Sequence, residues 1–527
     1  MRLPFARLLI LFVIAVHASL CAASNKAPTP RPRLGINVAG PCDWNTELPL
    51  RDVMRFSRTW SSQATGLAFG QGPPIRIAPD GYPCEIPDGA WAESPLITLE
   101  GHPWPSGEYV VTYSGSGRIA FNAPAIATRT VEPGKMAVTM DPSKGNLHIS
   151  ILTTDPSDPV RSLQVLMPGG DADPANPWTG WFLARWNGVA CFRFMNFMTT
   201  NNSRIRTWDE RPRIGDATYA ERGVPLELLI DLCNRQNADP WFCIPHLADD
   251  DYIRSFAELV RNRLNPSLRV HVEYSNEVWN PGFQQYRYAS EEGQKRGLSD
   301  DPAVAVWRFT AMRSLEVFAI FEEVFGGTER LVRILPAQAG NVFMAREILH
   351  FRDAAKHADA IAVAPYVGIN VVPEPDRHNP LGLTDVAGWD TDKLFNHLTN
   401  VSLPPVLDGI ARFRELANQY HLDLVAYEGG QHLTGLRGAE NDAALNALFF
   451  AANADPRMGD LYNSLLDGWS DRGGSLFCHF SSVARWTKWG SWGSLQFYND
   501  KPGDSPKWQA LANWAQQNGQ SLGSPPE

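Results

Sequence analysis

Short apolar runs, repeated at intervals that leave room for a helix between them, constrain this chain most. 'RLGINVAG' (33–40) is the first. 'GVACFRFMN', 'PWFCIPH', 'RVHVEYSNE', 'LVRILPAQA', 'DAIAVAPYVG', 'LDLVAYEGGQ' and 'GGSLFCHFSS' follow downstream. Each is nearly continuous in apolar residues, as a strand covered on both faces must be. Helical periods separate them, such as 'PLELLIDLCNRQN', 'DDDYIRSFAELVRNRL' and 'PAVAVWRFTAMRSLEVFAIFEEVFG', the last stopped by Gly326 and Gly327. Eight strands alternating with helices predict the α/β class and a (β/α)8 TIM barrel. An open doubly wound sheet is the alternative. It would bring a Gly-rich phosphate loop after an early strand, and 'GINVAGP' does not fit G-x-G-x-x-G.

The first unit is interrupted. A helix is predicted around 'LRDVMRFSR', and then the period changes to two. 'EYVVTYSGSGRIAF', 'KMAVTMD', 'NLHISILTT' and 'RSLQVLM' alternate between turn clusters such as 'DPSDP'. This predicts an inserted antiparallel β-sandwich module over 75–167. The barrel then occupies 33–70 and 170–515.

The N-terminus reads as an export signal over 1–23. Arg2 and Arg7 precede the apolar 'LLILFVIAV', and small residues follow in 'HASLCAAS'. A secreted or periplasmic protein is expected, with no membrane span after cleavage. The formal charge is −10 and unclustered, which offers no footprint for nucleic acid. No C-x-x-C or Cys/His zinc spacing occurs, nor a P-loop, G-x-S-x-G or H-E-x-x-H pattern, so neither metal nor cofactor is expected. 'DDD' at 249–251 reads as acid at a helix start. Cys42 and Cys84, in loop-like surroundings, are the pair that a disulfide could join in an exported protein.

In a barrel of this type, function gathers at the C-terminal strand ends. Those ends carry Arg193, His246, Asn276 with Glu277, Tyr366 and Glu428. Strand alternation places Glu273 and Ser275 inward beneath Glu277. A buried Glu273 needs a cation, and Arg193 is the nearest by strand order. That pair would floor the site, orient Glu277 and keep the second glutamate ionised. Gly429 and Gly430 would remove bulk so that a ligand can lie against Glu428. Two facing carboxylates are the equipment for glycoside hydrolysis, one protonated and one charged. The chain's 18 Trp suit sugar rings as well as cores.

'EYSNE' at the fourth strand and 'YEGG' at the seventh resemble the paired motifs of clan A of the retaining glycoside hydrolases. The resemblance covers the barrel and not the module. It implies that Glu277 is the acid/base, Glu428 the nucleophile and Asn276 the ligand of the sugar 2-hydroxyl. Arg193 then matches an arginine of the second strand, Tyr366 an aromatic that hydrogen-bonds the nucleophile, and His246 a subsite residue. One of Trp486, Trp489 and Trp492 would be the platform beneath the reacting sugar, with Trp486 and Trp489 put forward first. The family's usual Pro after the acid/base is absent, since Val278 stands there. The implied function is a secreted enzyme cleaving a β-glucan, mannan or xylan type of glycan. A non-catalytic carbohydrate-binding protein on the same scaffold is the alternative. Endo against exo action and oligomeric state stay open.

Overall fold

The computed structural model describes residues 31–169 and 175–523, so the signal expected over 1–23 lies outside them. Eight parallel strands close a barrel: β1 (Arg33–Asn37), β2 (Cys191–Arg193), β3 (Asp239–Ile244), β4 (Val270–Tyr274), β5 (Leu331–Pro336), β6 (Ala360–Val363), β7 (Asp423–Ala426) and β8 (Leu476–Phe480). β8 returns to β1 in continuous register, from Leu476 opposite Arg33 to Phe480 opposite Asn37.

Two-residue alternation sorts the strand residues. Cys191, Trp241, Cys243, Val332, Ile334, Ala360, Ala362, Val425, Leu476 and Cys478 fill the lumen as one cluster. The residues between them, such as Phe192, Phe242, Val272, Ile361, Leu424 and Phe477, face outward into the larger core shared with the helices. The lumen is therefore a packed core, and its top layer is where polar residues emerge. β4 is the exception within the stack. It sends His271 and Glu273 inward, both buried. His271 lies flat against Trp241, at 5.5 Å between ring centroids, and burial pushes its pKa down to about 3, so it is neutral.

The predicted helix at 'LRDVMRFSR' is only a short turn, Val53–Phe56. Asp52 caps it by accepting from the Met54 amide, and the same oxygen accepts from the Val165 amide at 2.8 Å. That second bond draws the chain into the inserted sheets instead of along the barrel. The helix of the first unit comes after the insert, at Gly180–Trp186. Elsewhere the predicted signals act as read. Asp249 caps the helix Asp250–Arg263 by accepting from the Tyr252 amide at 2.7 Å, and Gly326 ends Pro302–Phe325 in a left-handed conformation.

The insert comprises two four-stranded antiparallel sheets. One orders Ser61–Ala64, Ala90–Ile97, Leu147–Thr154 and Gly117–Phe121; the other orders Arg161–Leu166, Gly107–Ser114, Lys135–Met140 and Ala125–Glu132. Alternate residues, among them Tyr109, Val111, Ile149, Ile151, Leu163 and Val165, are buried in a common core. The first of these strands precedes position 75, because Ser61–Ala64 pairs with Ala90–Glu93.

'DAIAVAPYVG' is two strands, not one. The chain breaks at Pro365, and Tyr366–Val372 starts a small parallel sheet above the barrel mouth. It pairs with Gly430–Gly435, which follows β7, with Tyr366 opposite Gly430.

Gly35 shows how tightly the lumen is filled. A Cβ there would stand 2.6 Å from the Cys478 sulfur and 3.2 Å from the Cys191 Cβ. Gly35→Ala is expected to destabilise the fold by about 1–3 kcal/mol through overpacking. Chemical denaturation should show the loss, and adding Cys478→Ala should recover part of it; an additive double variant would contradict the contact.

Candidate active site

The site is built around one guanidinium. Arg193 ends β2 with its side chain wholly buried, as is that of Glu273. Nε and Nη2 donate to Glu273 Oε2 at 3.2 and 2.9 Å, and Nη2 also donates to Asn276 Oδ1 at 2.8 Å. Nη1 donates to Asn37 Oδ1 at 3.1 Å and to Glu428 Oε1 at 3.0 Å. Guanidinium has five N–H groups, and each has an acceptor here. The Trp241 and Tyr427 rings flank it at 5.5 and 5.0 Å. Trp241 Nε1 donates to the same Glu273 oxygen at 2.8 Å. A buried cation persists only when its charge and its hydrogens are matched in this way.

The expected Arg193–Glu273 floor is thus present, with a correction. Arg193 does not bond Glu277; it grips Glu428 and Asn276. Glu277 receives the Tyr427 hydroxyl on Oε1 at 3.2 Å and the Asn280 amide on Oε2 at 3.1 Å, both neutral donors. Pleat alternation does not deliver it either. β4 stops at Tyr274, and Ser275 and Glu277 adopt left-handed conformations with φ of 57° and 41°. Such backbone is uncommon outside glycine, and it turns Glu277 toward Tyr427.

Glu428 follows β7. Its Oε2 accepts from the Tyr366 hydroxyl at 2.9 Å, a contact set by the small sheet that registers Tyr366 beside Gly430. Burial raises both carboxyls. Glu428 is held above the usual carboxylate range, with Arg193 and the Tyr366 bond opposing the rise and Glu277 adding to it. Burial likewise raises Glu277, and the bonds from Asn280 and Tyr427 oppose it. Two buried carboxyls that repel each other share one proton over part of the pH range. Among the described residues, the only cation in contact with either is Arg193, on Glu428. The contacts therefore favour a charged Glu428 and a protonated Glu277.

Asn276 is fixed on three sides. Its Oδ1 accepts from Arg193, its Nδ2 donates to Asn201 Oδ1 at 3.0 Å, and its carbonyl accepts from Gln285 at 2.8 Å. His246 is buried with its ring edge against Tyr288, and burial lowers its pKa to about 4. Among the described residues no hydrogen bond joins it to either glutamate. Trp486 sits apart. It packs near Phe450 and borders a separate cavity with Asn453 and Pro506. Trp489 is 63% exposed and lines the open cleft described below. Trp492 is the one that meets the glutamate network, with Tyr366 and Phe480 each 5.9 Å from its ring and His432 at 4.9 Å.

Two expectations are overturned. Cys42 and Cys84 are free thiols. Cys42 lies in the cleft wall, where burial pushes its pKa up to about 12, while Cys84 is in the hairpin strand Pro83–Glu85 and its thiol faces the Arg76 carbonyl. The glycines after Glu428 serve packing rather than ligand approach. A Cβ on Gly429 would lie 2.5 Å from the Phe477 ring, and one on Gly430, whose φ is +137°, would lie 2.7 Å from the Tyr462 hydroxyl.

Sequence reasoning missed Asn37, Tyr427, Asn201 and Asn280. Asn37 ends β1, so the strand-end rule applied to the first strand finds it. Tyr427 precedes Glu428 and was legible as part of 'AYEGG'. Asn201 and Asn280 lie on loops, where no periodicity points inward.

Beside the mouth, between the loops after β1, β2 and β8, lies a cleft of about 1030 Å³ lined by Asn45, Asn196, Asn201, Phe480, Trp489 and Trp492 among others; it meets the site through Asn201 and Trp492, and neither glutamate lines it. A second cavity of about 610 Å³ shares Thr59, Thr199 and Glu221 with it. This extension reaches Ile77, Asp80 and Gly81, which belong to the inserted segment.

No family model matches the chain, and no curated protein matches it. Solved structures do. A fungal β-1,4-galactanase matches with 10% identity over 64% of this chain and 90% of its own, at a TM-score of 0.35. An endo-β-1,4-mannanase from Thermotoga petrophila matches with 10% identity over 64% and 72%, also at 0.35. A β-glucosidase from Thermotoga maritima, in complex with castanospermine, matches with 12% identity over 64% and 85%, again at 0.35.

The pairing of the two carboxyls predicts a titration shift. Glu428→Gln removes the negative neighbour that Glu277 faces, so the Glu277 anion becomes easier to form and its raised pKa moves down. Infrared or carboxyl-carbon NMR titration should show the lower midpoint. An unchanged or higher midpoint would contradict the coupling.

Proposed function

We propose that this protein is a retaining glycoside hydrolase that cleaves β-glycosidic bonds in a polysaccharide, exported from the cytoplasm by its N-terminal signal. The observation that carries the reading is the unequal treatment of two buried carboxyls at the mouth of a closed barrel. Glu428 is paired with Arg193 and held by the Tyr366 hydroxyl, whereas Glu277 has neutral donors only.

Glu428, charged, attacks the anomeric carbon. Glu277 gives its proton to the departing glycosidic oxygen, which leaves as an alcohol, and a covalent glycosyl ester remains on Glu428. Glu277, now charged, takes a proton from water, and the resulting hydroxide equivalent attacks the same carbon from the vacated face. The ester bond breaks, the product keeps its anomeric configuration, and both carboxyls return to their starting states. Arg193 loses part of its ionic partner when Glu428 forms the ester, but Glu273 retains the guanidinium in place. Asn276, locked by Arg193 and Asn201, presents its remaining N–H beside the reacting sugar, and Trp492 supplies the apolar face beneath it.

The open cleft and its extension toward the insert favour internal cleavage of a long chain over removal of terminal residues from a closed pocket. A glucan, mannan or xylan backbone fits this reading.

The test is a panel of β-glycans and aryl β-glycosides. Glu428→Gln is expected to lose about 10⁴-fold or more in kcat. Glu277→Ala should keep attack on substrates with good leaving groups and regain rate with azide, giving a β-glycosyl azide. Proton NMR of the first product should show the β-anomer. Inversion, or turnover unaffected by Glu428→Gln, would refute the assignment.

A further inference from the structure

The cleft contains four ionisable groups of opposite sign, and they are not equally provided for. Asp43 and Arg58 neutralise each other through a two-pronged contact, Nε to Oδ1 at 2.8 Å and Nη2 to Oδ2 at 2.9 Å. Asp43 also accepts from the Thr98 hydroxyl of the insert. Glu221 is exposed, so water satisfies its carboxylate. Arg485 differs from all three. Its side chain is half-buried in the cleft wall, and its Nε–H is shut off from solvent with no acceptor. Among the described residues no carboxylate lies within ion-pair distance of it.

That N–H is out of reach from the cleft, but the two terminal nitrogens have no hydrogen bond to any described residue and carry the unpaired charge. The backbone around it is held on both sides. Val483 is bridged to Leu495, the Ala484 amide donates to the Leu495 carbonyl at 3.0 Å, and the Trp486 amide donates to the Gln496 side chain. The guanidinium is therefore presented from a fixed base. It acts electrostatically on the Cys42 thiol, together with Arg58, which places it on the β1 side of the cleft. Trp44 and Trp489, 51% and 63% exposed, line the same space and offer flat apolar faces. A cation with a planar fork beside aromatic platforms matches a sugar ring that carries a carboxylate or a sulfate.

We infer that the cleft selects β-glycans bearing an anionic substituent, and that Arg485 is the residue that pairs with it. The inference rests on the glycoside-hydrolase reading only for the ligand being a sugar. It adds a charge requirement that the acidic surface of the chain would otherwise argue against.

Binding is measured with the full chain carrying Glu428→Gln, so that turnover does not interfere. The probes are xylan substituted with glucuronic acid and β-1,4-glucan oxidised at C6 to glucuronate, each beside the same polymer with its carboxyl groups reduced to alcohols, and a sulfated form of each backbone. Affinity electrophoresis or calorimetry should show at least about tenfold tighter binding to a charged polymer than to its reduced form, a preference that shrinks between 0.05 and 0.5 M salt. The uronate and sulfate arms decide which anion is taken. Adding Arg485→Gln should erase the preference, and Arg485→Lys should keep part of it; circular dichroism and thermal melting check that both variants fold. Equal affinity for charged and reduced polymers, no binding to any probe, or a preference that survives Arg485→Gln overturns the inference. Hydrolysis by the wild-type chain is scored separately, so that the glutamates' assignment and that of Arg485 can each fail alone.

Discussion

Arg193 is the group on which the rest of the site depends. Removing a guanidinium from water is expensive, and the lumen admits it only because Glu273 stands two strands further on and the Trp241 and Tyr427 rings close the sides. Once there, its planar fork fixes the positions of four side chains from three strands or their ends: Asn37, Glu273, Asn276 and Glu428. The arrangement does more than hold a carboxylate in place. By matching Glu428 with a cation and leaving Glu277 with neutral donors, it breaks the symmetry between two otherwise similar acids.

Above the barrel the small parallel sheet performs a related task. Tyr366–Val372 and Gly430–Gly435 prolong the paths of β6 and β7 beyond the mouth. Tyr366 thus sits on backbone paired to Gly430, and Glu428 is held in the short bend between two paired strands, which suits a contact that must be short and oriented. The aromatic contacts of Trp492 with Tyr366, His432 and Phe480 tie the loop after β8 to the same block.

The barrel was legible in the sequence because fully buried parallel strands leave continuous apolar runs, and each of the eight contains a barrel strand, although 'DAIAVAPYVG' breaks at Pro365. The Arg193–Glu273 pair was legible for a related reason: a charge in such a run must find an opposite charge in a neighbouring one. What escaped lies where no periodicity applies. Ser275 and Glu277 leave the pleat through left-handed backbone, so alternation gave a right inward direction for Glu273 and a wrong geometry for Glu277. The turn at Val53–Phe56 has helical residues, yet a single bond from Asp52 to the Val165 amide redirects it, and that partner is remote in sequence. The cysteine pair failed because loop-like composition says nothing about distance. Trp486, Trp489 and Trp492 look alike in the chain, and only packing separates them.

The insert has a consequence for how the chain can assemble. β1 and β2 are neighbours in the barrel, yet the whole of the inserted segment lies between them in sequence. Its own sheet pairings are antiparallel and join strands within the insert, so they need no barrel strand to form. When they form, the bridges from Leu50 to Trp178 and from Asp52 to Leu166 bring the two ends of the excursion side by side. The folded insert then behaves as a clasp that shortens the effective chain between β1 and β2. The barrel can then close as though those strands were consecutive.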